Sequence, residues 1–195
     1  MDAQNHHHSD QSILTIAAGK PIYWQMAINL ARSFIYWNSE SNVRFRIVTD
    51  LDEDLPLDLG KIEVQRVPLG SLGAGFSSKL QLDKLVFTQQ TLFIDADCLC
   101  LGSLDPIFTS FAGRPVAVVG GTISEGEWFG DVTEVLGKFG LKQMPKFNGG
   151  VYYLEKGSVS TSVYDKAREL EKDYDALGLV RLRSRPNDEL LMALA

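Results

Sequence analysis

Cysteine and histidine are scarce in this chain, and basic side chains are outnumbered. Its 195 residues include two cysteines, Cys98 and Cys100, and three histidines, His6, His7 and His8. Two thiols one residue apart make no disulfide framework, and a zinc site would need further ligands, so core packing is their expected role. The 19 Lys and Arg face 25 Asp and Glu, a net charge of −6, which argues against a broad nucleic-acid footprint. No apolar run approaches the length of a membrane span and no signal peptide is visible. A cytoplasmic setting is the default expectation. There is no G-x-G-x-x-G and no Walker pattern, so neither a dinucleotide site nor a P-loop is indicated. Nothing in the sequence points to an oligomeric state.

What is present fits one domain of ordinary globular composition, 45% hydrophobic and 23% charged, long enough for a substantial core. Residues 1–11 are polar and read as a disordered leader, and 12–195 as the single folded domain. Residues 12–19 predict a first strand. Gly19 allows a tight turn and Pro21 opens a helix, whose stripe is Tyr23, Ala27, Leu30, Phe34 and Trp37. Strand, glycine turn and helix form the opening of a nucleotide-binding α/β unit. A second strand, 45–49, closes at Asp50. An acidic surface loop covers 51–60, and 62–67 alternates as a half-exposed strand. The Gly- and Ser-rich stretch 68–78 predicts a mobile loop, and a helix over 79–86 follows it. Lys79, near the start of that helix, either contacts a phosphate or is an ordinary solvated lysine.

Residues 91–97, Thr-Leu-Phe-Ile-Asp-Ala-Asp, are the centre of the sequence. A short apolar run with aromatic and β-branched members predicts a strand buried on both faces, as in a parallel sheet. Ligands of open α/β sheets lie at the carboxyl ends of strands, where Asp95 and Asp97 fall. At i and i+2 of extended chain their side chains share a side, with Cα atoms roughly 6.5–7 Å apart. Two like charges together call for a partner, and hard oxygen ligands suit Mg²⁺ or Mn²⁺. The plainer reading makes Asp95 a strand cap and Asp97 a solvated turn residue.

A strand over 115–119 is expected to stop at Gly120 and Gly121, and a helix is expected over 128–139. At 147–154, Phe-Asn-Gly-Gly-Val-Tyr-Tyr-Leu, Asn148 and two glycines precede an apolar strand. Gly149 and Gly150 would let backbone approach a ligand closely; otherwise they mark a simple turn or bulge. An amphipathic helix covers 158–174. Arg181, Arg183 and Arg185 alternate along a short extended piece that is either a phosphate cradle or a solvated edge. A last helix starts at Pro186-Asn-Asp-Glu and presents Leu190, Leu191 and Leu194. The sequence ends there without a capping signal, which reads as a cut through a longer fold or as a docking helix.

Four segments in this order, Lys79-Leu-Gln-Leu-Asp-Lys-Leu, the stretch through Asp95-Ala-Asp97, Phe147-Asn-Gly-Gly-Val-Tyr-Tyr and Pro186-Asn-Asp-Glu-Leu, carry a resemblance. Together they resemble the nucleotide-diphospho-sugar glycosyltransferases of the GT-A fold, in particular the glycosyltransferase family 8 and glycogenin-like group, over residues 13–195. The resemblance implies a Rossmann-like, mostly parallel sheet flanked by helices, binding a sugar nucleotide that is commonly UDP-linked. It implies that Asp95 and Asp97 are the DxD motif holding Mn²⁺ (or Mg²⁺), with Ala96 between them at the donor. Lys79 would lie near the diphosphate or sugar. Asn148, Gly149 and Gly150 would line the sugar and acceptor side, and Asp188 would lie near the reacting sugar. Ala17, Ala18 and Tyr23 would face the base. Relatives add a later histidine to the metal shell, whereas no histidine follows His8 here. A truncated chain or a water as third ligand is then implied.

The implied reaction transfers a sugar from the nucleotide-sugar donor to an unidentified sugar or other hydroxyl acceptor. Asp188 and Asn148 are the candidate catalytic residues. A bound cation would neutralise the leaving phosphate. Two other readings are a non-catalytic nucleotide-sugar-binding module and a phosphatase that uses its Asp-x-Asp on a first strand.

Overall fold

In the structure, a computed structural model that describes residues 10–73 and 75–195, six strands form one sheet. They are β1 (Gln11–Ile16), β2 (Arg44–Thr49), β3 (Glu63–Arg66), β4 (Gln90–Ile94), β5 (Val116–Ile123) and β6 (Met144–Glu155). The order across the sheet is β3-β2-β1-β4-β6-β5. β3, β2, β1 and β4 run parallel, and β6 is antiparallel to both β4 and β5. The sheet is mixed and mostly parallel, as expected. Residues 1–9 of the expected leader lie outside the described residues, and β1 begins at Gln11.

Strand residues of alternate parity feed two separate cores, which is why Ser12–Thr15 of β1 and Thr91–Ile94 of β4 are buried on both faces. Ile13, Leu92 and Tyr153 face one side, where helix α1 (Pro21–Trp37) packs through Trp24, Ala27, Ile28, Ala31 and Phe34. Leu14, Phe93 and Tyr152 face the other, against helices α4 (Val132–Phe139), α5 (Ser158–Lys172) and α6 (Asp188–Leu194). Short helices α2 (Leu82–Leu85) and α3 (Asp105–Phe111) complete the two covering layers. The expected stripe on α1 is rotated at its ends. Tyr23 and Trp37 are 41% and 48% exposed, and Trp24 is buried in their place. The sheet meets the helix along 24, 27, 28, 31 and 34, and both excluded aromatics lie off that line.

Four further expectations change. The helix over 79–86 is a 3₁₀ segment, Gly75–Gln81, followed by the single turn of α2. Arg168 on α5 holds this piece in place: its guanidinium donates to Leu80 O (2.5 Å) and bidentately to Asp83 (2.6 and 3.0 Å). β5 does not stop at Gly120 and Gly121 but runs through them, with a register shift between Val118 and Gly120. A Cβ on Gly120 would lie 2.2 Å from Lys146 O, so that glycine permits close approach of β6 and does not terminate the strand. The helix over 128–139 begins only at Val132, where Asp131 accepts from Glu134 N–H (2.9 Å) as its cap. The helix over 158–174 ends at Lys172, and α4 closes on Gly140 in the left-handed conformation.

Candidate functional site

The strand order reverses at β1, whose neighbours β2 and β4 lie on opposite sides. The link from β1 to β2 passes through α1 on one face. The link from β3 to β4 ends in Leu80, Leu82 and Leu85 on the other. The carboxyl ends of β1 and β4 therefore open onto one crevice, the usual ligand position in such sheets. It encloses about 750 Å³, and Ala18, Tyr23, Lys79, Asp95, Ala96 and Asp97 line it. Ala17 lies behind that wall and is fully buried. Its N–H donates to Val48 O (2.9 Å) and its carbonyl accepts from Thr49 Oγ1 (2.6 Å).

β4 ends at Ile94, and the next four residues turn: Cys98 N–H donates to Asp95 O at 3.1 Å. The two aspartates thus sit on a turn and not on extended chain, and the side-sharing expected of i and i+2 in a strand does not apply. Asp97 is exposed there, while Asp95 is half-buried. Because β6 runs antiparallel beside β4, it returns Asn148–Gly150 to the same end, and Asp95 N–H donates to Gly150 O (2.9 Å). These residues lie within β6 and not in a turn before it.

Lys79 joins the parts. Its Nζ donates to Asp95 Oδ2 (2.7 Å) and to Gly149 O (2.8 Å), and lies 3.9 Å from Asp188 Oδ2. Its side chain is only 14% exposed, which removes the solvated-lysine reading. The first turn of α6 approaches β6 from the other core. Asn187 caps it by accepting from Leu190 N–H (2.8 Å). Tyr152 OH donates to Asp188 Oδ2 (3.0 Å), and Gly149 N–H donates to Glu189 Oε1 (2.8 Å). A Cβ on Gly149 would lie 2.8 Å from Asp188 Oδ2, and one on Gly150 2.9 Å from Asn148 Oδ1. The paired glycines therefore make room for protein carboxylate and amide groups. Asn148 itself is exposed, its Oδ1 taking Gly150 N–H (2.9 Å).

Burial dominates the electrostatics. It raises the Asp188 carboxyl to about 6, against the opposing pull of Lys79 and the Tyr152 hydroxyl. Asp95 is raised for the same reason, with Lys79 opposing and the charge of Asp97 adding to the rise. Burial also lifts the Cys98 thiol, helped by both aspartates, so this thiol is not an activated nucleophile. Among the described residues no three His, Cys, Asp or Glu gather to hold a metal unaided. Two carboxylates at a crevice suit a hard divalent ion whose remaining positions go to phosphate oxygens and water. To that extent Asp95 and Asp97 fit one.

No family model matches the chain, and no curated protein matches it. Solved structures do. The galactosyltransferase LgtC, in complex with donor and acceptor sugar analogues, superposes with a TM-score of 0.65 at 15% identity, over 94% of this chain and 70% of that one. The glycosyltransferase GlyE of Streptococcus pneumoniae TIGR4 gives 0.58 at 15% identity, over 93% of this chain and 42% of its own. The bifunctional glycosyltransferase WbbM gives 0.57 at 15%, over 87% of this chain and 36% of its own. This is the GT-A fold.

Within the GT-A fold the crevice also uses residues that the sequence offered only weakly. Asp50 lines it and accepts from Gly19 N–H (2.7 Å) and Gly70 N–H (3.3 Å), tying the β1–α1 turn to the loop after β3. At the sequence level it is only the residue that closes a strand. Lys20, Arg183 and Arg185 also line the crevice. Glu189 and Tyr152 do not line the crevice; they hold Gly149 N–H and Asp188 beside it, and only these contacts reveal them. The three arginines do not alternate along extended chain. Leu182 and Arg185 pair as an isolated bridge around a two-residue turn.

Proposed function

We propose that this protein transfers a sugar from a nucleotide-diphospho-sugar, UDP-linked by preference, to a hydroxyl acceptor. The observation that carries this reading is the Lys79 network: one ammonium reaches the DxD turn, the Asn148–Gly150 strand and the α6 carboxylate at the switch point of a GT-A sheet. The solved complex of LgtC with donor and acceptor analogues supports a two-substrate crevice on this fold.

In the proposed reaction Asp95 and Asp97 would hold Mn²⁺ or Mg²⁺, which when bound would supply Lewis-acid neutralisation of the leaving phosphate. Lys79 adds a fixed positive charge at the same end, worth most where water is excluded. Asp188, ionised above pH 6 and buried, stabilises positive charge developing on the sugar or orients the acceptor hydroxyl. Asn148, exposed on β6 beside Gly150, contributes an amide that both donates and accepts. Ala18 and Tyr23 offer apolar surface to the base.

The test is calorimetric titration of UDP and GDP, each with and without Mn²⁺, on wild type and on Asp95→Ala/Asp97→Ala, followed by product assays with sugar donors. A Mn²⁺-dependent gain in affinity for one nucleotide, lost in the double variant, is the expected result. Affinity that ignores both metal and mutation would replace transfer by the binding-module reading.

A further inference from the structure

We infer that Arg183 and Arg185 form a second anion site in the crevice, a guanidinium pair that takes the two phosphates of a diphosphate. The inference rests on the donor reading above and adds a site which the DxD turn does not supply.

The three arginines of this segment have different fates. Arg181 is spent on structure: it pairs bidentately with Asp175 (2.7 and 2.7 Å) and reaches Ser184 O at 3.4 Å. Arg183 and Arg185 line the crevice, are exposed, and have no ion pair or side-chain hydrogen bond among the described residues. The backbone that presents them is unusual. Leu182 N–H donates to Arg185 O (2.9 Å) and Arg185 N–H to Leu182 O (3.0 Å), closing a two-residue turn. Both central residues have positive φ, 49° at Arg183 and 64° at Ser184. Asn-Gly is the usual occupant of such a turn, and a long side chain is placed there against its preference. The neighbouring contacts over-determine the conformation: the Arg181 anchors hold one limb, and Tyr174 OH donates to Val180 O (2.8 Å) at its base.

Arg185 then lies across Gly75. A Cβ there would be 2.2 Å from Nη1 and 3.2 Å from Cζ of the guanidinium. The missing side chain at Gly75 lets the arginine cross the head of the 3₁₀ segment that carries Lys79 four residues later. The crevice holds four cations, Lys20, Lys79, Arg183 and Arg185, and three carboxylates, Asp50, Asp95 and Asp97. Lys79 is matched by Asp95, and Asp50 is held by two backbone amides. Lys20 and the two guanidiniums have no ion pair among the described residues. Planar forks of this kind bind phosphate oxygens bidentately, which a lysine cannot reproduce. With only two carboxylates on the metal side, the arginines carry part of the charge neutralisation, and diphosphate binding retains a component that needs no metal.

The experiment titrates UDP, uridine and inorganic pyrophosphate in EDTA and in Mn²⁺. It uses wild type, Arg183→Asn, Arg185→Gln and the double variant, with Arg185→Lys as the charge-retaining control. Asn accepts positive φ, so Arg183→Asn keeps the turn folded; circular dichroism and melting confirm this. Wild type is expected to bind UDP and pyrophosphate in EDTA. Each substitution should weaken that binding roughly tenfold, the double variant about a hundredfold, and Arg185→Lys less than Arg185→Gln. Uridine should not change. Wild type that binds neither anion without metal, or a double variant that binds both as tightly as wild type, overturns the inference. If Mn²⁺-dependent UDP binding persists in that case, the donor reading stands alone. If the arginines hold pyrophosphate while no nucleotide binds, the site stands and the donor reading falls. Pyrophosphate binding without UDP preference would assign the clamp to a phosphorylated acceptor.

Discussion

At Asp188 burial and charge act in opposite directions, and burial wins. The side chain is 2% exposed, faces Lys79 at 3.9 Å and accepts from Tyr152, yet its carboxyl rises to about 6. A folded-state value above the unfolded one means that the native state binds the extra proton. The resulting stability is present below pH about 3.8, is lost as pH rises towards 6, and amounts to about 3 kcal/mol. Asp188→Asn cannot ionise, so the stability of wild type relative to this variant should fall by about that amount between pH 4 and pH 7 in urea titrations. A difference that stays flat with pH would show that Asp188 does not titrate in this window. Lys79 is the other residue whose environment sets its role: an ammonium held by Asp95 and a backbone carbonyl is fixed in place before any ligand arrives.

At the scale of elements, β6 is the piece that assembles the site. Its central residues meet β4 on one side and β5 on the other, and its Asn148–Gly150 segment meets the start of α6. Close approach requires glycine at particular points. Gly120 has backbone 2.2 Å from where a Cβ would lie, whereas Gly121 next to it has nothing within 4 Å. Gly120→Ala should therefore destabilise the protein by about 1–3 kcal/mol through overpacking, while Gly121→Ala should be nearly neutral. Equal midpoints for the two variants in chemical denaturation would contradict this account of the β5–β6 contact. The Arg168–Asp83 pair plays the corresponding part for the 3₁₀ segment, strapping it to α5 with Lys79 facing the crevice.

At the scale of the whole molecule, the reversal of strand order at β1 creates the crevice, and α1 on one face and the 3₁₀ segment on the other supply side chains to it. No helix among the described residues is long and apolar enough to cross a membrane. A ligand that binds only the folded crevice stabilises the entire chain by mass action, about 2.7 kcal/mol at a hundred times its Kd. For a chain of this size that corresponds to a rise of roughly 5–10 °C in melting temperature. UDP with Mn²⁺ should produce such a rise in wild type and little in Asp95→Ala/Asp97→Ala. An equal rise in both proteins would place the nucleotide away from the DxD turn.

Local chemistry determined much of this in advance. Runs such as 12–16 and 91–94 are uncharged and mostly apolar because both their faces are covered, and this is legible without coordinates. So are the Pro21 helix start, the turn chemistry around Gly19 and the pair of aspartates that ends β4. Periodicity reports which side chains are apolar but not what lies across from them, and that is where sequence reading stopped. Lys79 reads as a solvated lysine until β4 and β6 bring it partners 16 and 70 residues away. Gly120 reads as a strand end until Lys146 is found against it. Three arginines in alternation look equivalent, and only the turn at Arg183–Ser184 separates the anchored Arg181 from the two that face the crevice. In the first two cases the deciding contact joins segments distant in sequence and exists only once the sheet and its helical layers have packed; in the third a local turn with positive φ sets the side chains apart.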